Sequence, residues 1–104
     1  MSYDFLKEAK KLEPQLIEWR RYLHANPELC FDLPLTTAFV ERRLRDFGLT
    51  SKKVGKAGIV ATVGKPGPVI LLRADMDALP ITEASGLPFA SANGNCHACG
   101  HDIH

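Results

Sequence analysis

Residues 58–81 read GIVATVGKPGPVILLRADMDALPI and decide the fold class. Residues 59–63 alternate with a period of two, which predicts a strand. The turn residues at 64–67 end that strand. The continuous aliphatic run 69–72 predicts a second strand, of the kind that is buried on both faces of a sheet. Because two strands cannot cover such a run, we expect more chain or a partner to lie against it.

The first fifty residues are predicted to be helical, since apolar residues recur there at helical spacing. Ser2 is a candidate N-cap, and Pro14 predicts a break or kink near Glu13. A second helix should then end before Pro27, because the residue before a proline avoids helical geometry. A third helix is expected to end at Phe47, with Gly48 as its left-handed stop. Helices followed by strands indicate the start of an α/β domain.

Composition excludes several classes of protein. The 104 residues include 13 basic and 12 acidic side chains, with a net charge of +1, so nucleic acid and anionic membranes are not expected partners. No apolar run reaches the roughly 18 residues that a membrane-spanning helix needs. The first residues, MSYDFLKEAKK, do not resemble a secretory signal. Three cysteines cannot all pair within one chain, which favours a reducing compartment and predicts a cytoplasmic protein.

The last nine residues hold a dense cluster of metal-ligand types. They read CHACGHDIH and contain Cys96, His97, Cys99, His101, Asp102 and His104. An extended chain would direct residues 97, 99 and 101 to one side, whereas a helix would group residues 97, 101 and 104. A single CxxC is a weak signal, but the flanking histidines favour metal binding. A thioredoxin-like redox motif is less favoured, because the cluster is far from the last predicted strand.

Two carboxylates, Asp75 and Asp77, follow the second predicted strand. In an extended chain they face the same side, and ligands gather at the carboxyl ends of strands in open α/β sheets. Such carboxylates can bind a metal or orient a ligand histidine. Alternatively, one of them caps a turn or pairs with Arg73. Position alone does not choose between these interpretations.

Two other residues are expected to have structural roles. His24 lies near a predicted helix end, where a lone histidine is more often structural than a metal ligand. Cys30 is predicted to be a small buried side chain.

Four stretches carry a family resemblance: RRYLHANPEL (20–29), ERRLRDFGL (41–49), the stretch 58–81 quoted above, and HACGHDIH (97–104). In order and spacing, they resemble the N-terminal part of the aminoacylase-like dinuclear metallohydrolases. The most similar branch is that of the N-acyl-amino-acid amidohydrolases, which includes hippurate hydrolases and plant indole-acetyl-amino-acid hydrolases. The combination of RADMDALP with HACGHD makes the resemblance specific.

The resemblance implies a metal-dependent hydrolase that cleaves the amide bond of N-acyl amino acids. Two divalent metal ions, zinc or manganese with cobalt and nickel as alternatives, would activate a water molecule. A glutamate would act as general base. By motif position, Cys99 and His101 are implied metal ligands, and Asp77 is an orienting residue. Further candidate ligands are Asp75, His104 and Cys96, the last at a position where the branch often has methionine.

The resemblance also implies a domain organisation. Residues 1–104 would form the N-terminal segment of a helix-flanked, mixed-sheet catalytic domain. The general-base glutamate, the lid or dimerisation domain and the C-terminal half would lie outside them, so the 104 residues alone are expected to be inactive. A small-molecule substrate and a full-length homodimer are implied partners.

The alternative is a small non-enzymatic zinc-binding module built on Cys96, Cys99, His101 and His104, or a decayed gene product. A minimal zinc module does not need two carboxylates at a strand end, whereas a dinuclear hydrolase does. RADMDALP therefore favours the hydrolase.

Overall fold

The structure is a computed structural model that describes residues 2–104. Its elements are α1 (Phe5–Ala25), α2 (Pro34–Asp46), β1 (Ser51–Val54) and β2 (Gly58–Ala61). The two strands form an antiparallel sheet in which Ser51 is opposite Ala61. The predicted α/β class is confirmed. The first predicted strand is confirmed as β2, although β2 ends two residues earlier than the alternation suggested.

The N-terminal helix is continuous, so the predicted break before Pro14 is wrong. Proline removes one helical hydrogen bond, the one that would reach the carbonyl of Lys10. Both residues are exposed, so water can satisfy that carbonyl and the helix continues. The N-cap is Asp4 rather than Ser2, because the Asp4 side chain accepts a hydrogen bond from the backbone N–H of Lys7 at 3.0 Å. No helix within residues 2–104 is long and apolar enough to cross a membrane.

A glutamate outside the helix caps the start of α2. The N-cap position is occupied by Leu33, whose side chain cannot accept a hydrogen bond. The Glu28 carboxylate instead accepts from the backbone N–H groups of Leu35 at 3.1 Å and Thr36 at 2.6 Å. The backbone carbonyl of Glu28 accepts from the N–H of Ala78 at 2.7 Å. Glu28 therefore connects the start of α2 to the segment that follows Asp77.

The end of α2 agrees with the prediction at Gly48. This glycine has φ 78°, in the left-handed region. Its N–H donates to the carbonyl of Arg45 at 2.8 Å, and the N–H of Leu49 donates to the carbonyl of Leu44 at 2.9 Å. This pair of bonds is the Schellman motif, which ends a helix at a left-handed residue.

The predicted buried strand at 69–72 is not present. Residues 66–77 contain no strand, and the side chains at Val69 and Leu72 are 90% and 91% exposed. β2 pairs with β1, a strand that was not predicted because its two lysines break the apolar alternation. A strand buried on both faces needs hydrogen-bonded neighbours and covering helices. No segment within residues 2–104 supplies them to 69–72.

The buried residues lie mainly where the loops meet the helices, rather than on the sheet. They are Leu33, Ala78 and Cys96 with Pro27, His24, Thr36, His97 and Asp102. Leu79 and Cys96 exchange two backbone hydrogen bonds, of 3.0 and 2.9 Å, which join the 77–79 segment to the C-terminal cluster. Cys30 is exposed and has φ 53°, so its predicted burial is wrong. It lies in the tight turn between α1 and α2, where the side chain faces solvent.

Candidate functional site

The C-terminal cluster is neither extended nor helical. Its backbone makes successive tight turns, in which Gly100 N–H donates to the carbonyl of His97 at 3.2 Å and His104 N–H donates to that of His101 at 3.2 Å. Gly100 has φ 87°, which a residue with a side chain rarely adopts. The turns stack the rings of His101 and His104, with centroids 5.6 Å apart. His97 is buried, whereas His101 is half-buried and His104 is exposed.

The two aspartates of RADMDALP lie on either side of the His101 ring. Asp77 Oδ1 lies 2.9 Å from Nδ1, and Asp75 Oδ2 lies 3.2 Å from Nε2. A neutral imidazole carries one proton and can donate to only one of these oxygens. The ring nitrogen on the other side then needs either a second proton or a cation.

His104 and Arg73 also contact Asp75. His104 Nδ1 makes a close hydrogen bond with Asp75 Oδ1, and Arg73 lies 3.5 Å from Oδ2. The hydrogen bond from His104, together with the charge of His101, lowers the pKa of Asp75. Asp75 is therefore ionised at neutral pH. The ion pair with Arg73, which the sequence left open as an alternative role, exists beside the histidine contacts.

The thiol of Cys99 is close to the same aspartate pair. Its Sγ donates to the backbone carbonyl of Asp77 at 3.7 Å, and the residue is exposed. We name Asp75, Asp77, Cys99, His101 and His104 the DCH cluster. All three donor types, sulfur, imidazole nitrogen and carboxylate oxygen, bind zinc in proteins.

One pair of donor atoms in the DCH cluster has a spacing that suits a divalent metal ion. Two donor atoms bound to one zinc ion at about 2.0–2.1 Å are separated by about 2.9–3.4 Å, for bond angles of about 90–110°. The 3.2 Å between His101 Nε2 and Asp75 Oδ2 lies within that range. Asp77 would then hold the proton on Nδ1, as carboxylates do for metal-bound histidines. The DCH cluster does not bring three donor atoms together in one place within residues 2–104.

A second polar cluster is formed around His24 on α1. Its Nδ1 lies 2.7 Å from Asp102 Oδ2, and the same oxygen accepts from Arg20 Nε at 2.8 Å. The side chain of Asp102 is 0% exposed and that of His24 is 8% exposed. Arg20 and His24 are one helical turn apart, which places both on the side of α1 that faces Asp102.

Glu83 and Cys96 lie at the other edge of the His24 ring. Glu83 Oε1 lies 2.9 Å from His24 Nε2 and 3.6 Å from the thiol of Cys96. Hydrogen bonds from the Ser85 hydroxyl and the Ser91 N–H lower the pKa of Glu83 to about 2, so it is ionised. Burial and the nearby Glu83 raise the pKa of the Cys96 thiol. Within residues 2–104, His24, Glu83 and Cys96 are the one group with three metal-ligand atoms within 4.8 Å of one another.

His97 is buried between the two clusters without a hydrogen-bond partner on either ring nitrogen. Its exposed fraction is 4%. Burial lowers its pKa, so the ring is neutral at physiological pH. It belongs with the buried residues, and none of the contacts of the DCH cluster involves it.

The structure therefore separates the predicted ligands. Asp75, Asp77, Cys99 and His101 meet with His104, whereas Cys96 contacts Glu83. Sequence reasoning missed the cluster of Arg20, His24, Glu83 and Asp102. Two signals pointed to it: the four-residue spacing of Arg20 and His24, and the aspartate directly after His101. Neither signal shows that Glu83 contacts His24, because that contact depends on the path of the loop that carries Glu83.

Comparisons with known proteins agree with the resemblance. The family described as Peptidase family M20/M25/M40 matches residues 71–104, which include the whole DCH cluster. The chain is 48% identical over 97 residues to an N-acetyl-L-cysteine deacetylase of Bacillus subtilis, covering 89% of this chain and 23% of that protein. It is 46% identical over 98 residues to an N-acyl-L-amino acid amidohydrolase of Geobacillus stearothermophilus, covering 90% of this chain and 26% of that protein.

A solved structure shares the fold. A Bacillus subtilis protein described as a dinuclear metal binding peptidase from the M20 family superposes with a TM-score of 0.84 at 45% identity, covering 91% of this chain and 28% of that one. The chain spans about a quarter of the length of the curated relatives that it matches. The sequence motifs, the fold and the position of the DCH cluster agree with one another: residues 71–104 match peptidase family M20/M25/M40, and the chain as a whole is similar in sequence and fold to about a quarter of a dinuclear metal binding peptidase of that family.

Proposed function

We propose that this chain supplies part of the active site of a metal-dependent hydrolase that cleaves the amide bond of N-acyl amino acids. The observation that carries the proposal is the placement of His101 between Asp75 and Asp77, next to Cys99. The names of the relatives, an N-acetyl-L-cysteine deacetylase and an N-acyl-L-amino acid amidohydrolase, support the substrate class.

The residues of the DCH cluster have separate tasks in this proposal. Cys99 and His101 bind metal, and Asp77 orients the His101 ring by accepting the proton of Nδ1. Asp75 and His104 are further ligand candidates, coupled by their hydrogen bond. A bound pair of divalent ions, zinc or manganese with cobalt and nickel as alternatives, would supply a water of lowered pKa and polarise the substrate carbonyl. The remaining ligands and the general base would lie outside these 104 residues, so we expect the isolated segment to be inactive.

The small zinc module is the weaker candidate. It needs Cys96, Cys99, His101 and His104 around one ion, and within residues 2–104 these four do not form one group. The contacts of Cys96 with Glu83 and of Cys99 with Asp77 direct the two thiols to different neighbours.

Three further expectations accompany the hydrolase. All three cysteines are unpaired, which fits a reducing compartment such as the cytoplasm. A homodimer and the assignment of residues 1–104 to the catalytic domain stay predictions.

The experiment is an assay of the protein at its natural length against N-acetyl and N-benzoyl amino acids, with detection of the released amino acid. We expect release that stops with a chelator and returns with zinc or manganese. Cys99→Ser and His101→Ala should lower both activity and metal content, whereas Cys30→Ser, at an exposed cysteine outside the cluster, should lower neither. No release from any N-acyl amino acid would refute the substrate class. Activity that is indifferent to the chelator would refute the metal.

A further inference from the structure

We infer that His24, Glu83 and Cys96 form a second metal site, which takes a single zinc ion or a similar thiophilic divalent cation. These residues come from α1 and from two loops, and none of them belongs to the DCH cluster. The inference does not depend on the proposed hydrolase activity, because it concerns different ligand atoms.

His24, Glu83 and Cys96 offer donor atoms of three different elements in a group that is largely shielded from solvent. An imidazole nitrogen, a carboxylate oxygen and a sulfur lie within 4.8 Å of one another. The side chains of His24 and Glu83 are 8% and 3% exposed. The residue Cys96 is 8% exposed. One nitrogen, one oxygen and one sulfur form a ligand set that suits zinc, with a fourth position left for water or another ligand.

The Asp102 carboxylate orients the His24 ring. Asp102 accepts from Arg20 and lies 2.7 Å from Nδ1 of His24, so Nδ1 carries the proton. A carboxylate that accepts from the far side of a histidine is the usual partner of a metal-bound imidazole. In the neutral ring, Nε2 then presents a lone pair to Glu83.

The Nε2 atom of His24 has a close neighbour but no hydrogen bond. It lies 2.9 Å from Glu83 Oε1, yet this buried nitrogen has no hydrogen-bond partner of adequate geometry. Two oxygen or nitrogen donors on one zinc ion are separated by about 2.9–3.4 Å, and a sulfur and an oxygen by about 3.6 Å at a tetrahedral angle. The Cys96 Sγ to Glu83 Oε1 distance is 3.6 Å, which also suits the S–H···O hydrogen bond of the metal-free state.

Hydrogen bonds hold the ligand residues in place in the absence of a metal ion. The Ser91 N–H donates to Glu83 Oε1 at 2.9 Å, and the Ser85 hydroxyl donates to Oε2. Two backbone hydrogen bonds with Leu79 hold the main chain of Cys96. A site whose ligands are already oriented loses little conformational entropy when it binds an ion. The competing state is a second proton on His24, which would make the group a structural ion pair.

The test is titration of the protein at its natural length with Co²⁺ alone, followed by the thiolate-to-cobalt charge-transfer band. The starting variant is Cys99→Ser, which removes the thiol of the DCH cluster. We expect the band to persist in this variant with one equivalent of Co²⁺ and to disappear when Cys96→Ser is added. Cys30→Ser in the same background is the matched control and should keep the band.

Either of two results would overturn the inference: no band in the Cys99→Ser protein, or a band that survives the added Cys96→Ser. If Cys99→Ser does not fold, the inference is tested by locating bound zinc through its anomalous diffraction in crystals of the unmodified protein. A peak about 2.0–2.4 Å from His24 Nε2, Glu83 Oε1 and Cys96 Sγ would support the site. Peaks confined to the DCH cluster would exclude it.

Discussion

Asp77 holds the His101 ring through Nδ1, at 2.9 Å from its Oδ1. The opposite nitrogen is thereby directed toward Asp75, 3.2 Å away. If His101 binds metal through Nε2, the Asp77 carboxylate fixes both the tautomer and the orientation of the ligand. Such partners of metal-bound histidines typically change metal affinity by about 10–100-fold when they are replaced.

The first prediction concerns Asp77→Asn. This change keeps the size of the side chain but removes its charge, so we expect metal affinity at natural length to fall about 10–100-fold, with an intact fold. The measurement is competition with a chromogenic chelator, together with circular dichroism. The control is Asp46→Asn, at an exposed aspartate paired only with Arg43 on the surface. Equal affinities in both variants would show that Asp77 does not orient a ligand.

The second prediction concerns the cap that Glu28 makes on α2. Its carboxylate accepts hydrogen bonds from the backbone N–H groups of Leu35 and Thr36. The N-cap residue, Leu33, has no side chain that could accept them. Glu28→Ala should therefore lower the free energy of unfolding by about 1–2 kcal/mol, the usual cost of losing a helix cap. The change in the free energy of unfolding is measured by urea denaturation. Glu18→Ala, at an exposed position on α1, is the matched control and should change stability by less than about 0.5 kcal/mol.

The third prediction concerns the left-handed Gly48. A β-carbon at this position meets nothing within 4 Å, so a substitution is opposed only by the backbone conformation. Gly48→Ala should cost about 1–2 kcal/mol, because L-residues are strained at positive φ. Gly48→Asn should cost less, since asparagine tolerates this conformation better. If alanine and asparagine destabilise the protein equally in urea unfolding, the backbone argument fails.

Local rules predicted the parts of this fold that depend on neighbours in sequence. Gly48 ends α2 as expected, and the turn residues at 64–67 follow β2. Pro14 was misjudged because a helix can tolerate a proline where water reaches the freed carbonyl. The run 69–72 was predicted to be a strand because of its aliphatic composition. A strand also needs neighbouring strands for its hydrogen bonds, and the composition of one segment does not show whether they are present.

The same limit applies to the sites. The ligand types in RADMDALP and HACGHD were visible in the sequence, and the backbone turns around Gly100 bring His101 and His104 together. The partner of Cys96 could not be predicted, because Glu83 lies in a loop without a motif. Contacts between distant loops are set by tertiary packing, so only the structure shows that Glu83 and Asp102 contact His24.

The last prediction concerns the aliphatic run 69–72 in the isolated 104-residue segment. Its four side chains are 84–91% exposed and contiguous, a surface that favours association in water. We expect the isolated segment to self-associate in analytical ultracentrifugation and to bind a hydrophobic dye. Leu71→Lys should reduce both effects, because it places a charge within the run. Val63→Lys is the control, since Val63 is also exposed, at 79%, but lies outside the run. A segment that stays monomeric and does not bind the dye would contradict the prediction, because burial of exposed aliphatic surface is the driving force for both effects.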